Sequence, residues 1–216
     1  MLDRDLEAVC ARLHGLVLDL GGEWQGRRGA FRPPARADLC WLCLNLDSAV
    51  QPDVVADVTQ VPVASARADA VVCTEVLEHV RWPERLIGEC ARVLRPGGVL
   101  IPSVPFLVPL HADPDDFQRF SPGRLQDLLA GAGLRVEAIQ AQGGYFVVLA
   151  EMGKALLRQV RPRLLRWPLA LACLPLLEWL VWLDVRWRPG NLAGYTTGFF
   201  VTAAKAPRSS SPSGCL

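Results

Sequence analysis

The apolar positions switch between two periods along the chain. Leu2, Leu6, Val9 and Leu13 recur at helical spacing and predict a short amphipathic helix ahead of the first strand. Residues 16–20 then form a near-continuous apolar run ending in Gly21-Gly22, which is how a strand buried on both faces reads. Runs at 39–46, 68–73 and 98–104 repeat that signature. Between the last two, Leu86, Ile87, Cys90, Val93 and Leu94 share one face of a helix predicted over 83–94, which Pro83 opens and Gly97-Gly98 stops. Ser121 and Pro122 open another helix, Gly131 and Gly133 close it, and strands are expected over 135–139 and 196–203. Strands alternating with helices predict an α/β fold, a mostly parallel sheet with helices on both faces. Right-handed crossovers bring the loops after the strands to one rim, where open sheets of this kind hold ligands.

One segment departs from the pattern. Residues 167–187 read WPLALACLPLLEWLVWLDVRW and hold four of the seven tryptophans, with Lys154, Arg158, Arg161, Arg163 and Arg166 just before them. The length suits a membrane span of about twenty residues. Pro175, Glu178 and Asp184 argue against a single span, so two short helices hinged near Pro175 are expected, inside a helical insertion at about 151–190. Two roles stay open for it. It is either a lid or homodimer contact through 154–188, or a peripheral membrane contact with indoles at headgroup level.

Length and charge narrow the class. At 216 residues one domain is expected over 1–206, followed by a disordered Ser- and Pro-rich tail at 207–216. A net charge of +1, from 23 basic and 22 acidic side chains, gives no field that would draw nucleic acid, and no such partner is expected. The seven cysteines are odd in number and scattered through predicted strands and helices, unlike a disulfide framework. With no apolar run of signal-peptide type near the start, the expected location is cytoplasmic, with membrane association if the late segment docks there. Cys40 and Cys43 form a CxxC, but Trp41 and Leu42 make it a buried strand, and no metal site is predicted.

The rim offers candidates for an adenosine-bearing ligand. Such a ligand needs a loop that admits close backbone approach, an acid for the ribose hydroxyls and a slot for the base. Gly21 and Gly22 follow the first strand, Asp47 ends the second, and Asp57 lies in the next loop, in VVADVTQVP. Each has an ordinary alternative: Gly-Gly is often a plain turn, and aspartates at strand ends cap turns. A nicotinamide dinucleotide fits less well, because no G-x-G-x-x-G opens a helix after the first strand.

The segments LVLDLGG, NLD, VVADVTQVP, ADAVVCTEVLEHV and ARVLRPGGVLIPSVP stand in an order that resembles the class I S-adenosylmethionine-dependent methyltransferases, in particular the small-molecule, type 11-like group. The resemblance implies a Rossmann-like, seven-stranded sheet and S-adenosylmethionine as cofactor. It places Asp19, Gly21 and Gly22 near the methionine portion, Asp47 on the ribose, Asp57 at the adenine, and Thr74 and Glu75 on the pocket wall. One departure stands out: Glu23 occupies the middle glycine of the family's D-x-G-x-G-x-G loop, and residues 27–38, with Pro33-Pro34, lack a helical period.

Methyl transfer requires alignment of nucleophile, methyl and leaving sulfur, and a hydroxyl acceptor also benefits from a base. His79, His111 and Asp113 are the candidates, although His79 serves equally well to orient its loop. Asp116, Arg119 and Phe120 could sort substrates, or simply make turns and an ion pair. The expected reaction is O-methylation of a small-molecule or glycan- or lipid-linked acceptor. The rival is a non-catalytic relative that uses the same fold for binding or scaffolding.

Overall fold

The computed structural model describes residues 2–26, 29–110, 115–161, 163–187, 190–192 and 194–207. The tail at 208–216, His111 and Asp113 lie outside them. The elements run α1 (Leu2–Cys10), β1 (Gly15–Leu20), β2 (Leu39–Asn45), β3 (Val54–Val55), β4 (Ala68–Thr74), α2 (Pro83–Val93), β5 (Leu94–Pro105), α3 (Pro122–Gly131), β6 (Leu134–Gln142), α4 (Tyr145–Gln159), α5 (Arg163–Arg186) and β7 (Gly198–Lys205). The sheet order is β3-β2-β1-β4-β5-β7-β6. The pairings from β3 through β5 are parallel, whereas β7 runs antiparallel to both β5 and β6.

The two-residue period of the strands divides the apolar side chains between two layers. Val71 and Cys73 of β4 join Leu18, Leu20, Leu100 and Val104 on one face, where Leu86, Ile87 and Cys90 of α2 and Leu125 and Leu129 of α3 cover them. Ala70 and Val72 join Val17, Ile101 and Phe200 on the other, beneath Leu6 and Cys10 of α1. Both faces are therefore covered, as continuous apolar strands require.

Polar groups fix the edges of these layers. Asp69 accepts the Leu16 N–H at 2.7 Å and pairs with Arg95 at 2.6 Å, tying β4 and β5 to the start of β1. Gly15 sits at φ +70, where a Cβ would lie 2.1 Å from the Asp69 carboxylate, so only glycine admits this closure. Lys205 of β7 donates to Leu94 O at 2.7 Å and to Ala91 O at the end of α2, a cation where helix carbonyls lack partners.

Two expectations need correction, and one strand had not been located. Helix α2 ends at Val93, before Gly97-Gly98: Leu94 already enters β5, and a register shift between Ala68 and Ala70 absorbs the irregularity. The short β3 pairs only Leu44 and Asn45, and two residues carry too little period to be read from sequence. Helix α5 runs 24 residues without a break at Pro175. Pro168 and Pro175 stand seven residues apart, two turns of helix, and both are exposed on the outward side. Carbonyls freed there can tilt toward solvent instead of ending the helix.

Candidate functional site

The parallel strands bring the ends of β1, β2, β4 and β5 to one rim. Between β1 and β4 the winding reverses, since β2 and β3 build outward on one side and β5 on the other. Ligands of open α/β sheets bind at such a switch point. The loops on either side touch: Gly21, at φ +74, has its would-be Cβ position 2.5 Å from Val76 Cγ2 in the loop after β4. A side chain at Gly21 would be strained and would push the loops apart.

On the β1–β2 side, Asp19 is fully buried beneath this turn and accepts the Trp41 indole N–H at 3.2 Å. Gly22 lies close over it, with a would-be Cβ 2.7 Å from the Asp19 carboxylate. The turn is tied to β2, because Gly21 N–H donates to Leu44 O at 2.7 Å and the Asn45 side-chain amide donates to Gly22 O at 3.2 Å. The Glu23 side chain is exposed. A single 3-10 turn, Trp24–Gly26, follows it, with Gln25 held at φ 55, so no α-helix is found between β1 and β2 among the described residues.

Asp47 lies two residues past the last residue of β2. It is exposed, and its Oδ1 accepts Ala49 N–H at 2.8 Å, capping a short turn. Asp57 makes the same kind of turn, accepting Thr59 N–H at 2.7 Å and Thr59 O–H at 2.8 Å. Asn45, absent from the sequence-derived candidates, is a strand-end side chain bonded to the glycine turn. Its bonds to Gly22 O and, through Oδ1, to Asp47 N–H link the two candidate elements. An acid-centred search passes over an amide.

On the β4–β5 side the groups interlock. Thr74 is buried at the end of β4, and Glu75 follows at φ 54, a left-handed conformation costly for a side chain of this size. Glu75 is held there by Ser103 of β5, whose hydroxyl donates to its Oε1 at 2.7 Å and whose carbonyl accepts its N–H at 3.0 Å. Glu78 is fully buried. Burial foremost, then the Glu75 charge, pushes its carboxyl up to about 8. It is therefore a neutral carboxylic acid at pH 7, which sequence pattern alone does not reveal.

His79 bridges two loops. Its Nδ1 meets Asp115 O, so Nδ1 carries the proton, while Nε2 lies 3.6 Å from Glu78 Oε1. Phe117 N–H donates to Glu78 O at 2.9 Å and the Gln118 amide to Val80 O at 2.8 Å, docking residues 115–118 along the loop after β4. Arg119 pairs with Asp116 through two nitrogens, Nη2 to Oδ2 at 2.7 Å, and its charge also acts on Glu78 and Glu75. Phe120 is buried in the core and offers no stacking face to a substrate. Of the substrate-sorting trio, two form an internal ion pair and one is core.

An open doubly wound sheet with this rim defines a class of ligand-binding α/β domain. A family model described as a methyltransferase domain, type 11, matches residues 38–101, which covers β2 through most of β5. Over 87 residues the chain is 32% identical to a protein named as a probable S-adenosylmethionine-dependent methyltransferase of Mycolicibacterium smegmatis, covering 38% of this chain and 34% of the relative. Over 49 residues it is 49% identical to the ubiquinone biosynthesis O-methyltransferase of Xanthomonas oryzae, covering 23% of this chain and 18% of the relative. The chain thus spans about a third or less of the length of these curated relatives. Among solved structures, that of the 4+2 cyclase SpnF superposes with a TM-score of 0.58 at 19% identity, over 95% of this chain and 82% of that one, a likeness of fold alone. The likeness to the S-adenosylmethionine-dependent methyltransferases thus rests on residues 38–101 and on the 38% of this chain that aligns with the Mycolicibacterium smegmatis relative.

Proposed function

We propose that this chain moves a methyl group from S-adenosylmethionine to an oxygen of a small-molecule or glycan- or lipid-linked acceptor. One observation carries the reading: a Gly-Gly turn closed against the loop after β4 at the switch point, with Asp19 buried below and Asp47, Asp57 and Glu75 along the rim. Acceptor groups of this kind suit a ligand that bears an amino group, a ribose diol and a positive sulfonium, the last of which supplies an electrophilic methyl when bound. The similarity to an O-methyltransferase supports oxygen as the target.

The protein's own contribution is mostly alignment. The Ser103–Glu75 bonds and the contact between Gly21 and Val76 fix one wall, and Asn45 fixes the other. Neutral Glu78 keeps a second negative charge away from Glu75. His79, held by Asp115 O, anchors the loop after β5. Base duty would fall to His111 or Asp113, either of which would take the proton of an acceptor hydroxyl, while S-adenosylmethionine, when bound, would supply the methyl group.

Calorimetry of the full chain with S-adenosylmethionine and S-adenosylhomocysteine tests the reading, and absence of binding by both would overturn it. Binding of both with no transfer to any hydroxyl acceptor would favour a non-catalytic binding protein. The exposed Glu23 and left-handed Gln25 at the glycine turn are what favour that second reading.

A further inference from the structure

Helices α4 and α5 form an antiparallel hairpin whose contacts are close and specific. Gly144 faces the Asp184 carboxylate and Gly153 faces Leu177, each with a would-be Cβ under 3 Å from its neighbour, at 2.5 and 2.7 Å. Lys154 pairs with Glu178 at 3.0 Å and with Glu151 at 3.2 Å, and buried Asp184 accepts Phe146 N–H at 3.2 Å in the first turn of α4. Both acids of α5 are thereby engaged with α4.

The outward side of α5 has no such partner among the described residues. An 18-residue window within residues 167–186 has a mean hydropathy of 1.6, yet only 11% of it is buried. Trp167, Leu171, Trp179 and Trp182 are 69%, 80%, 51% and 55% exposed. On α4, Leu149, Met152 and Leu156 add a second exposed apolar stripe at i, i+3 and i+7. Soluble surfaces rarely leave so much contiguous apolar area uncovered.

Topology decides how a bilayer could cover it. A lone α5 span would leave β7 on the far side, but β7 is hydrogen-bonded between β5 and β6 in the one sheet. A two-helix span fails too, because the 15 residues of α4 reach about 22 Å against a hydrocarbon core of about 30 Å. The hairpin can only lie along the surface. Charge selects the surface: from residue 152 to 177 there is no acid, and beyond Lys154, which Glu151 and Glu178 already pair, Arg158, Arg161, Arg163 and Arg166 are all cationic. Two copies would bring these cations together with no acids to match, whereas anionic headgroups complement them.

We propose that the α4–α5 hairpin docks on an anionic phospholipid bilayer, with its indoles and leucines in the interface and its cations on lipid phosphates. A cleft of about 220 Å³ between Leu157, Ala170 and Leu174, with Lys154 and Arg158 also on its lining, suits part of an acyl chain beneath an anionic head. The hairpin leaves the sheet at Gln142 and returns at Gly198, which pair with each other at the ligand rim, and Gly198 also pairs with Pro105 at the end of β5. Docking therefore sets that rim beside the membrane. If the methyltransferase reading holds, it favours an acceptor carried in the bilayer, a consequence that rests on that reading as the docking itself does not.

Flotation of the full chain with vesicles tests the docking without cofactor or acceptor. Phosphatidylcholine vesicles containing phosphatidylglycerol should bind at least about tenfold more tightly than phosphatidylcholine alone, and added salt should weaken the binding. Arg158→Glu with Arg161→Glu should abolish the preference. Trp179→Ser with Trp182→Ser, outward positions whose loss leaves the fold intact by circular dichroism, should weaken binding to both. Failure to float with either vesicle overturns the proposal. A lipid-free dimer that the tryptophan pair dissociates, or resistance to alkaline extraction, overturns it as well. Calorimetry with S-adenosylhomocysteine reads the rim separately, so the two readings fail independently.

Discussion

The two sides of the rim solve the same problem with different chemistry. On the β1–β2 side each acid acts locally: Asp47 caps a turn two residues on, and so does Asp57. On the β4–β5 side the acids depend on distant groups. Glu75 is held by Ser103, Glu78 is buried beside it, and Arg119 with Asp116 supplies the charge balance from the chain after β5. Local Asx turns form almost unaided, so that side can change its ligand contacts at little cost to the fold. The interlocked side cannot, since removing one member leaves others buried and unbalanced.

Arg119→Ala should therefore have the largest effect. The Asp116 side chain is 4% exposed, and truncating its partner leaves a nearly buried charge, at a cost of about 3 kcal/mol. Asp116→Asn in the same chain should recover part of the loss by removing that charge. Denaturant melts decide the matter, and a loss below about 1 kcal/mol would show that the cation does not hold this side together.

Glu78→Gln should reveal itself through pH. The carboxyl is raised from its ordinary 4.5 to about 8, by burial first and Glu75 second. Between those values the folded chain holds a proton that the unfolded chain has released. The favourable contribution is thus complete below about pH 4.5 and is lost as pH rises through about 8. Glutamine keeps the neutral shape and cannot ionise, so the variant should match the parent near pH 5 and gain on it steadily toward pH 8.5. Each tenfold difference in proton affinity between the folded and unfolded chains is worth about 1.4 kcal/mol, so a few kcal/mol is the ceiling of the gain. Stability curves that stay parallel across that range would mean Glu78 is ionised in the fold.

The contrast also explains what the sequence disclosed. Continuous apolar runs located four of the strands, β1, β2, β4 and β5, because burial on both faces leaves a strong composition signal, and Gly21-Gly22 marked a true turn. The reading of Cys40 and Cys43 as strand residues agrees with β2, but the expected burial holds for Cys43 alone, since Cys40 is exposed. Elsewhere the signal was absent or misleading. Glu78 looks like any acid in EVLEHV until the fold surrounds it, and Arg119 and Phe120 look like surface groups until the chain after β5 docks on the loop after β4. Pro175 suggested a hinge because proline costs a helix hydrogen bond. On the outward side of a helix braced by α4, that loss does not break the element.

The smallest effect on the fold should come from Asp47→Ala, and it bears most directly on the comparison. Removing a capping acceptor from a short exposed turn costs about 1 kcal/mol or less. If the β1–β2 side is the adaptable half of the rim, ligand binding must depend on Asp47 far more than folding does. A carboxylate that accepts hydrogen bonds from a ribose contributes about 1.5 to 3 kcal/mol, so affinity for S-adenosylhomocysteine should fall by about ten- to a hundredfold. Asp57→Ala, its counterpart one strand along, should likewise spare the fold. Calorimetry beside a thermal melt separates the two quantities. Unchanged affinity with an unchanged melt would move the ribose contact to Asn45, whose amide already bridges Gly22 O and the Asp47 backbone, and Asn45→Ala would then be the variant that loses the ligand.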